Sequence, residues 1–495
     1  MEIKVQVAAI ENIAADILAV FVFVGDTPQG SLAELDLLCG NGIGDLIAGG
    51  DFKAKSGETA ILRPHAASGI KRLLLIGLGE KAKCTPEILR RACGATVREV
   101  IRLGLSSLVV PLWPIDNLAP AEIAQVLVEG IILGSYTFDV HKTSQTPAKP
   151  LTNLSITVSE ADLASSQQGA TAGQIIAESV CLARDLSNEP GNYLTPTMLA
   201  ETAEKVAAEV GLQVEILGES QMAELGMGAL LGVAQGSEEA AQFIVLEHNA
   251  DRPDLPTYVV VGKGINFDSG GISLKSADGM QAMKGDMSGA GDTLAILRTA
   301  ALLKLPLHVV GLMPCTENLP DGHAFKPGDI LKSMSGLTIE IISTDAEGRL
   351  ILADALTYAK RYQPKAVVDL ATLTSACVIA LGNSIAGLLC NNSNLTAALQ
   401  QAAAATGEKI WELPLEEEYN ELLESDVADL KNIGGRPGGT ITAGLFLAKF
   451  ASDYPWAHLD IAGKELSDKV NGYTVKGGTG FGVRLIIAWL RSLAS

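Results

Sequence analysis

The chain has few cysteines and few aromatic residues, and each shortage limits what the protein can be. Seven cysteines are scattered over 495 residues without a CxxC pair, and their number is odd. A disulfide framework is therefore not expected, and a reducing cytoplasm is the natural setting. Aromatic residues make up 4% of the chain, so the interior must consist mainly of Ala, Leu, Val and Ile. Such a composition is typical of a large α/β protein.

Basic residues are also scarce, since 37 Lys and Arg face 57 Asp and Glu and give a formal net charge of −20. This balance disfavours a general phosphate-binding surface, although it allows a local basic patch. Residues 1–5 lack the pattern of a signal peptide. The uncharged residues 370–390 contain polar residues and glycines that do not suit a lipid-facing helix. We therefore predict a cytoplasmic protein without a membrane span.

Several short motifs are absent or incomplete. Neither HExxH nor GxSxG occurs, which removes the common zinc-helix and serine-nucleophile peptidases. Gly77-Leu78-Gly79 lacks the third glycine of a dinucleotide-binding motif, so we interpret it as a turn. His323 and His458 have no metal-ligand spacing and are interpreted as structural or supporting residues.

Strand-like and helix-like segments alternate along the chain. Short apolar runs predict strands at 17–24, 72–76, 107–112, 154–158, 213–216, 258–261, 308–313, 366–370 and 457–460. Helical spacing predicts helices at 86–103, 120–134, 168–186, 197–210, 290–303, 353–361 and 480–493. Such alternation favours mostly parallel sheets covered by helices on both faces.

The length of the chain predicts more than one domain. A polar loop at 142–150 and one further strand precede the long helix at 168–186. We predict an α/β protein with two domains, each a mixed or mostly parallel sheet flanked by helices, joined by a long helix. The predicted bounds are 1–165 for an N-terminal α/β domain, 166–187 for the linking helix and 188–495 for a C-terminal domain.

The most informative region lies between residues 261 and 350, where charged side chains fall in turns rich in glycine and serine. Four carboxylates, those of Asp268, Asp286, Asp345 and Glu347, lie in or beside apolar segments, where an unpaired charge is costly to bury. Groups that follow parallel strands can converge beyond the carboxyl edge of a sheet. We therefore expect these side chains to meet.

Three basic residues, Lys263, Lys275 and Arg349, lie close to these carboxylates in the sequence. They could neutralise the carboxylates in a buried salt-bridge network. Alternatively, the carboxylates could hold two divalent cations, and the basic groups could stabilise negative charge during a reaction. Spacing alone leaves both interpretations open.

Six segments then carry a specific signature. Residues 262–271 read GKGINFDSGG, residues 283–289 read MKGDMSG and residues 343–350 read STDAEGRL. Residues 369–374, 456–463 and 477–484 continue the pattern in order. These segments resemble the leucyl (cytosol) aminopeptidases, and the agreement runs from about Arg184 to the C-terminus. The N-terminal region resembles the family only in its length and its alternation of strands and helices.

The resemblance implies a metal assignment by position. Lys263, Asp268, Asp286 and Glu347 would form one site, and Asp268, Glu347 and Asp345 would form the other, so that Asp268 and Glu347 bridge. A lysine ligand must be neutral, and two adjacent dications together with burial favour the uncharged amine. Zinc is the default for the two ions, with manganese or magnesium as alternatives at the exchangeable site.

The resemblance further implies a catalytic C-terminal domain that removes N-terminal residues from peptides, with a leucine-like preference. A water bridging the metals would attack the peptide, Lys275 would stabilise the gem-diolate, and Arg349 would seat a bicarbonate as general base. The residues implied in substrate binding are Met283, Thr372, Leu373 and Ser375. A homo-hexamer with active sites facing an internal cavity is expected.

Two residues depart from the family pattern, since Ser343 replaces a common Asn and Ser375 replaces a Gly near the substrate's first side chain. Two other functions are disfavoured by the sequence. DNA binding is disfavoured by the acidic composition, and a metal-dependent phosphoesterase would need a phosphate-cradling loop that the sequence lacks. Neither nucleic acid nor a membrane is an expected partner.

Overall fold

The computed structural model describes residues 1–65, 68–144 and 149–494, except for the side chain of Glu11. Of the predicted polar loop at 142–150, residues 145–148 lie outside the described residues. The chain divides into two compact units, Met1–Glu178 with Asp468–Val475, and Ser179–Ser467 with Lys476–Ser495.

The described residues form 14 α-helices and 20 strands. The helices are α1 (Ser31–Leu38), α2 (Gly42–Gly49), α3 (Pro86–Arg102), α4 (Pro120–Ser135), α5 (Leu163–Asn188), α6 (Pro196–Val210), α7 (Glu219–Glu224), α8 (Gly228–Ala234), α9 (Ser288–Leu302), α10 (Gly348–Ala359), α11 (Ser375–Leu381), α12 (Ser393–Thr406), α13 (Gly439–Ala448) and α14 (Val483–Leu493). The strands are β1 (Glu2–Val7), β2 (Leu18–Phe23), β3 (Thr59–Leu62), β4 (Leu73–Gly79), β5 (Ser107–Pro111), β6 (Asn153–Val158), β7 (Gln213–Leu217), β8 (Gln242–His248), β9 (Thr257–Gly262), β10 (Gly264–Asp268), β11 (His308–Asn318), β12 (Ile330–Lys332), β13 (Thr338–Glu340), β14 (Ala366–Ala371), β15 (Ala386–Cys390), β16 (Ile410–Glu412), β17 (Leu430–Lys431), β18 (Trp456–Asp460), β19 (Leu466–Ser467) and β20 (Gly477–Gly478).

The first unit is built on a six-stranded sheet with the order β1-β6-β5-β2-β4-β3. All neighbouring pairs are parallel except β3 with β4. β2 and β4 consist mostly of buried Leu, Val and Ile, because both faces of a parallel sheet are covered. α3 and α4 cross closely where glycine is required, since a Cβ on Gly130 would lie 2.4 Å from the carbonyl oxygen of Arg90.

The segment 468–475 belongs to the first unit although β19 and β20, which flank it, belong to the second. It packs against α3 so closely that a Cβ on Gly94 would lie 2.5 Å from the carbonyl carbon of Gly472. Tyr473 is buried there, and its hydroxyl donates to the carboxylate of Glu87 at 3.2 Å.

The second unit contains a nine-stranded sheet with the order β16-β15-β18-β14-β9-β11-β8-β7, to which β10 adds by pairing with β11. The four central strands, from β18 to β11, are parallel, whereas β15, β8 and β7 run antiparallel to their neighbours on the inner side. The carboxyl ends of β9, β10 and β14 therefore meet at one edge. Lys263, Asp268 and Thr372 are found there.

The predicted fold class is confirmed, since helices flank mixed, largely parallel sheets in two domains. All nine predicted strands are present, and most of their ends agree within one residue. The long helix α5 exceeds its predicted bounds, and the two compact units divide within it, so the bounds of the linking helix stay a prediction. Residues 370–390 hold the end of β14, α11 and β15, and no helix among the described residues is long and apolar enough to cross a membrane.

Besides α5, two helices begin three or more residues from their predicted starts. α10 begins at Gly348 rather than at Ala353, so the last residues of the STDAEGRL segment form its first turn. α14 begins at Val483 rather than at Gly480, because Gly480 and Gly482 adopt φ angles of +62° and +104°. Glycine adopts such positive φ angles readily, and they are not compatible with a right-handed helix, so the loop extends to Gly482.

Candidate metal centre

Lys263 occupies the junction between β9 and β10, and its side chain is almost fully buried. Its Nζ lies 2.7 Å from Asp286 Oδ2 and 3.0 Å from Glu347 Oε1. The same nitrogen donates a hydrogen bond of 2.9 Å to the carbonyl oxygen of Thr372. The lysine passes directly over Gly348, where a Cβ would lie 2.6 Å from Lys263 Cε, so this position requires glycine.

Asp268 ends β10, and its carboxylate accepts two hydrogen bonds and forms an ion pair. Oδ1 accepts hydrogen bonds of 2.9 Å from the Gly270 N–H and from Asn318 Nδ2. Oδ2 lies 2.6 Å from Lys275 Nζ. The chain can turn back over the carboxylate because Gly270 and Gly271 have φ angles of +88° and +64°.

Asp268, Asp286 and Glu347 bring three carboxylate oxygens within 4.8 Å of one another, and all three residues are buried. Asp286 follows the 3₁₀ turn Met280–Gly285, and Glu347 directly precedes α10. No other such cluster of three His, Cys, Asp or Glu side chains occurs in the part of the chain that the structure describes. Buried carboxylate oxygens at this spacing are suitable ligands for divalent cations.

The three carboxylates repel one another. Burial, followed by repulsion from Glu347, raises the pKa of Asp268 to about 6. Burial also raises the pKa of Asp286 well above its usual value, although Lys263 acts in the opposite direction. For Glu347 the attraction of Lys263 and Lys275 outweighs burial and lowers the pKa. A cation among these oxygens would relieve the repulsion, so the residues present fit a metal.

Lys263 shows how the two interpretations of the sequence are related. Burial alone would lower the pKa of Lys263, but the attraction of Asp286 and Glu347 outweighs it and raises the pKa above its usual value. Without a metal the lysine is therefore the charged partner of the carboxylates. As a metal ligand it would have to give up this proton. The salt-bridge network and the metal site use the same residues.

Lys275 and Asp345 complete the cluster on its more exposed side. The ammonium group of Lys275 contacts the carboxylates of both Asp268 and Asp345, and 24% of the lysine side chain is exposed. Asp345 is exposed, and its N–H donates a hydrogen bond of 3.3 Å to Ser343 Oγ. All five residues predicted as metal ligands are thus gathered in one cluster with Lys275.

Arg349 is the second residue of α10 and is buried. Its Nη1 donates a hydrogen bond of 2.8 Å to the carbonyl oxygen of Asn432, while its Nε has no hydrogen-bond partner. Burial lowers the pKa of this guanidinium to about 10, so it remains a cation at neutral pH. A buried N–H without a partner is costly, and an anion could satisfy it.

The residues predicted to bind substrate occupy different positions around the cluster. Thr372 touches it directly, because its Oγ1 donates a hydrogen bond of 2.6 Å to Asp286 Oδ1. The N–H of Leu373 donates at 3.2 Å to Asp460 Oδ1. Met283 is half-buried within the turn before Asp286, and Ser375 is exposed at the start of α11.

The sequence interpretation missed two residues that support the cluster. Asn318 ends β11, and its Nδ2 donates to Asp268 Oδ1 and also to the carbonyl oxygen of Thr344, each at 2.9 Å. Asp460 ends β18, and its buried carboxylate accepts a hydrogen bond of 2.6 Å from Thr374 Oγ1 as well as backbone N–H groups of the loop after β14. Both are polar residues at the carboxyl end of an apolar strand, and this sequence feature could have identified them.

Comparison with known sequences decides the family. The profile described as the cytosol aminopeptidase family, catalytic domain, matches residues 181–487, and the profile of the N-terminal domain of the same family matches residues 19–145. The chain belongs to the cytosol aminopeptidase family. It is therefore a metal-dependent aminopeptidase, a hydrolase that acts on the N-terminal end of peptides.

Individual relatives agree with this over almost the whole chain. A probable cytosol aminopeptidase of Geotalea uraniireducens is 46% identical over 462 residues, which cover 93% of each chain. One from Acidithiobacillus ferrooxidans is 43% identical and covers 99% of this chain and 98% of its own.

Solved structures are similar as well. A mutant of tomato leucine aminopeptidase has a TM-score of 0.89 at 32% identity and covers 99% of this chain and 96% of its own. The bottromycin maturation enzyme BotP in complex with Mn has a TM-score of 0.86 at 36% identity and covers 97% of this chain and 100% of its own.

Proposed function

We propose that this aminopeptidase holds two divalent cations in the cluster described above and removes N-terminal residues, with a leucine-like preference, from peptides. The observation that carries the proposal is the convergence of three buried carboxylates within 4.8 Å, next to a buried lysine. The proposed metal ligands are Lys263, Asp268, Asp286, Asp345 and Glu347. The ions would be zinc or manganese, with magnesium as an alternative, since oxygen-rich sites discriminate poorly between them.

When bound, the cations would polarise the scissile carbonyl group and make a shared water acidic enough to act as the nucleophile. Lys275 is suited to the substrate side because it is the more exposed of the two lysines in the cluster, at 24% against 3% for Lys263. Its ammonium group would stabilise the negative charge that develops on the carbonyl oxygen.

Arg349 would seat a bicarbonate that takes a proton from the attacking water and returns it to the leaving amine. Its free Nε–H and the N–H groups of the first turn of α10 are the donors that such an anion requires. Thr372 and Leu373 would present the substrate to these groups, with Met283 and Ser375 near the first side chain. Thr372 would also fix Asp286, through the hydrogen bond between their side chains.

We further propose that the protein works as a homo-hexamer in the cytoplasm and that peptides are its substrates. The domain bounds 1–165, 166–187 and 188–495 belong to the same proposal. The similarity to hexamer-forming aminopeptidases of this family, implied by the signature segments, supports the assembly.

The test compares Asp345→Ala and Glu347→Ala with Asp453→Ala, whose carboxylate is exposed and pairs with Lys360. Both cluster variants should lose hydrolysis of leucine amide while retaining their circular dichroism spectra, and Glu347→Ala should also lose bound metal. The control should keep both properties. Full activity in either cluster variant would refute the site, and faster hydrolysis of a phosphate ester than of aminoacyl amides would refute the substrate class.

A further inference from the structure

The first unit has a cleft whose lining includes none of the metal-cluster residues and which plays no part in the proposed reaction. Its larger part is a cavity of about 430 Å³, lined by the segments that follow β2 and β5 and by residues of α4. β2 and β5 are neighbours in the sheet. After β2 the chain continues to strands on one side of this pair, β3 and β4, whereas after β5 it continues to β6 on the other side. Open parallel sheets bind ligands at such a reversal, beyond the carboxyl ends of the strands.

Most of the residues that line this cavity are aromatic or aliphatic. Phe21, Phe23 and Trp113 line it, and the buried side chains of Leu78 and Leu127 contribute further apolar surface. The volume falls within the range of about 300–1000 Å³ that is usual for small-molecule sites. Flat rings in such a wall favour a planar aromatic group, which can stack on them.

A second cavity of about 420 Å³ shares Phe23, Gly25 and Asp26 with the first, so the two lie on either side of the turn after β2. Gly25 has a φ angle of +86°, and nothing lies within 4 Å of the position that a Cβ would take. The backbone of this turn is therefore open to a ligand that extends from one cavity into the other.

Each part of this cleft is lined by at least one lysine, although the chain as a whole is strongly acidic. Lys53 and Lys55 are exposed and line the second cavity, and Lys81 lines the first. One carboxylate, that of Asp26, also lines both cavities, and its Oδ2 accepts a hydrogen bond of 2.9 Å from the N–H of Phe23. Lys81 Nζ lies 3.1 Å from Asp116 Oδ2, so Lys53 and Lys55 are the lysines that favour an anionic group such as a phosphate.

The segment that carries the two lysines is held in an unusual conformation. Ala54 lies between them with a φ angle of +53° and is buried. The N–H groups on either side of it donate to Glu58 Oε2 at 3.1 and 2.9 Å, and its carbonyl oxygen accepts from the Gly79 N–H at 2.9 Å. Gly77 makes this possible, because a Cβ there would lie 2.2 Å from the carbonyl oxygen of Lys55.

The Gly77-Leu78-Gly79 segment was predicted to be a turn, but it forms the last three residues of strand β4. Gly77 allows the lysine-bearing segment to pack onto β4, and Leu78 lines the cleft. A non-glycine residue with positive φ is unfavourable and is kept where the surrounding structure fixes it, often at a binding site.

We propose that this cleft binds a nucleoside phosphate. The base occupies the cavity beside Trp113, and the phosphate groups pass over the turn at Gly25 to Lys53 and Lys55. The nucleoside phosphate is bound and not transformed, and its site is independent of the proposed peptide hydrolysis.

Adenosine diphosphate is the probe that tests the proposal on the full-length protein. Calorimetric titration should give one bound molecule per chain. Trp113 is the only tryptophan in residues 1–178, so binding should also change the tryptophan fluorescence. Trp113→Phe should abolish the fluorescence change while calorimetry still detects binding, since phenylalanine can still stack on a base.

The double variant Lys53→Ala/Lys55→Ala should weaken the binding of adenosine diphosphate at least about tenfold, because its contacts to phosphate are lost. Lys71→Ala is the matched control. Lys71 is an exposed lysine that precedes β4, at the amino ends of the strands, and it pairs with Asp16. It should bind as the unmodified protein does, and adenosine or pyrophosphate alone should bind more weakly than the diphosphate. Hydrolysis of leucine amide by all variants reports on the metal cluster separately.

The proposal is overturned if adenosine diphosphate shows no saturable binding at millimolar concentration. It is also overturned if binding is the same in the double variant, or if Lys71→Ala weakens binding as much as the double variant does.

Discussion

Replacing Lys263 by methionine tests how the metal cluster balances its charge. In the absence of metal, the ammonium group of Lys263 lies 2.7 Å from Asp286 and 3.0 Å from Glu347, and the three side chains are 3%, 7% and 2% exposed. Lys263→Met removes this charge but keeps an unbranched side chain of similar length. It leaves the carboxylates with Lys275 as the only other ammonium group described in the cluster.

The expected cost follows from burial. Removing one partner of a buried ion pair costs about 3–5 kcal/mol, because the remaining charge is left without compensation. The raised pKa of Asp286 allows that carboxyl group to take up a proton, which returns part of the cost. We therefore expect a loss of about 3 kcal/mol in the free energy of unfolding of the metal-free second unit.

Lys360→Met is the matched control. Lys360 Nζ lies 2.7 Å from Asp453 Oδ2, the same separation as in the buried pair, but the two side chains are 32% and 61% exposed. An exposed pair contributes only about 0–1 kcal/mol. Differential scanning calorimetry in the presence of a chelator should show a fall in Tm of several degrees for Lys263→Met and little change for Lys360→Met.

Added Mn²⁺ should reduce the difference between Lys263→Met and the unmodified protein, because bound dications would then neutralise the carboxylates. Equal Tm values for the two variants in chelator would refute the reasoning. They would mean that Lys263 does not act as the charged partner of the cluster in the metal-free protein.

Two further substitutions test other parts of the second unit. Asp354→Asn should lower the free energy of unfolding by about 1–3 kcal/mol, because the buried carboxylate accepts N–H groups of Ala229, Leu230 and Met334 at 3.0, 2.9 and 2.8 Å, and an amide cannot accept all three. Calorimetry of the metal-loaded protein measures this, and an unchanged Tm would contradict it. Arg349→Met should lower kcat by about 10²- to 10⁴-fold, the usual contribution of a general base, with unchanged metal content. Steady-state kinetics with metal analysis checks the second expectation, and a lower metal content at normal kcat per bound metal would contradict it.

Much of the central sheet could be predicted because its strands are short and almost entirely apolar. β9 and β14 are buried along most of their length, and the polar residues that follow them, Lys263 and Thr372, mark the edge where the cluster forms. The signature segments added the identities of the carboxylates. Neither the strand pattern nor the signature segments showed that Lys263 is kept protonated by the same carboxylates that are proposed to bind the metals together with it.

The role of Asn318 could not be predicted, and the reason lies in the pairing of two strands. The predicted strand stopped at Met313, one residue before Pro314, and proline is disfavoured in the interior of a sheet. β11 nevertheless continues to Asn318, and the register of β10 on β11 shifts between Ile265 and Asp268. That shift brings Asp268 opposite Asn318. A shift in strand pairing does not change the hydrophobic pattern of either strand, so it could not be predicted from the sequence.

The two compact units cannot be exchanged between relatives as simple consecutive pieces of sequence. A hybrid that took only residues 1–178 from a donor would combine that donor's α3 with the host's segment 468–475. The contact between Gly94 and Gly472 leaves no space for a side chain at Gly94. The hydroxyl of Tyr473 also needs the carboxylate of Glu87 as its hydrogen-bond acceptor. A functional chimera would have to inherit this short C-terminal segment together with the N-terminal unit.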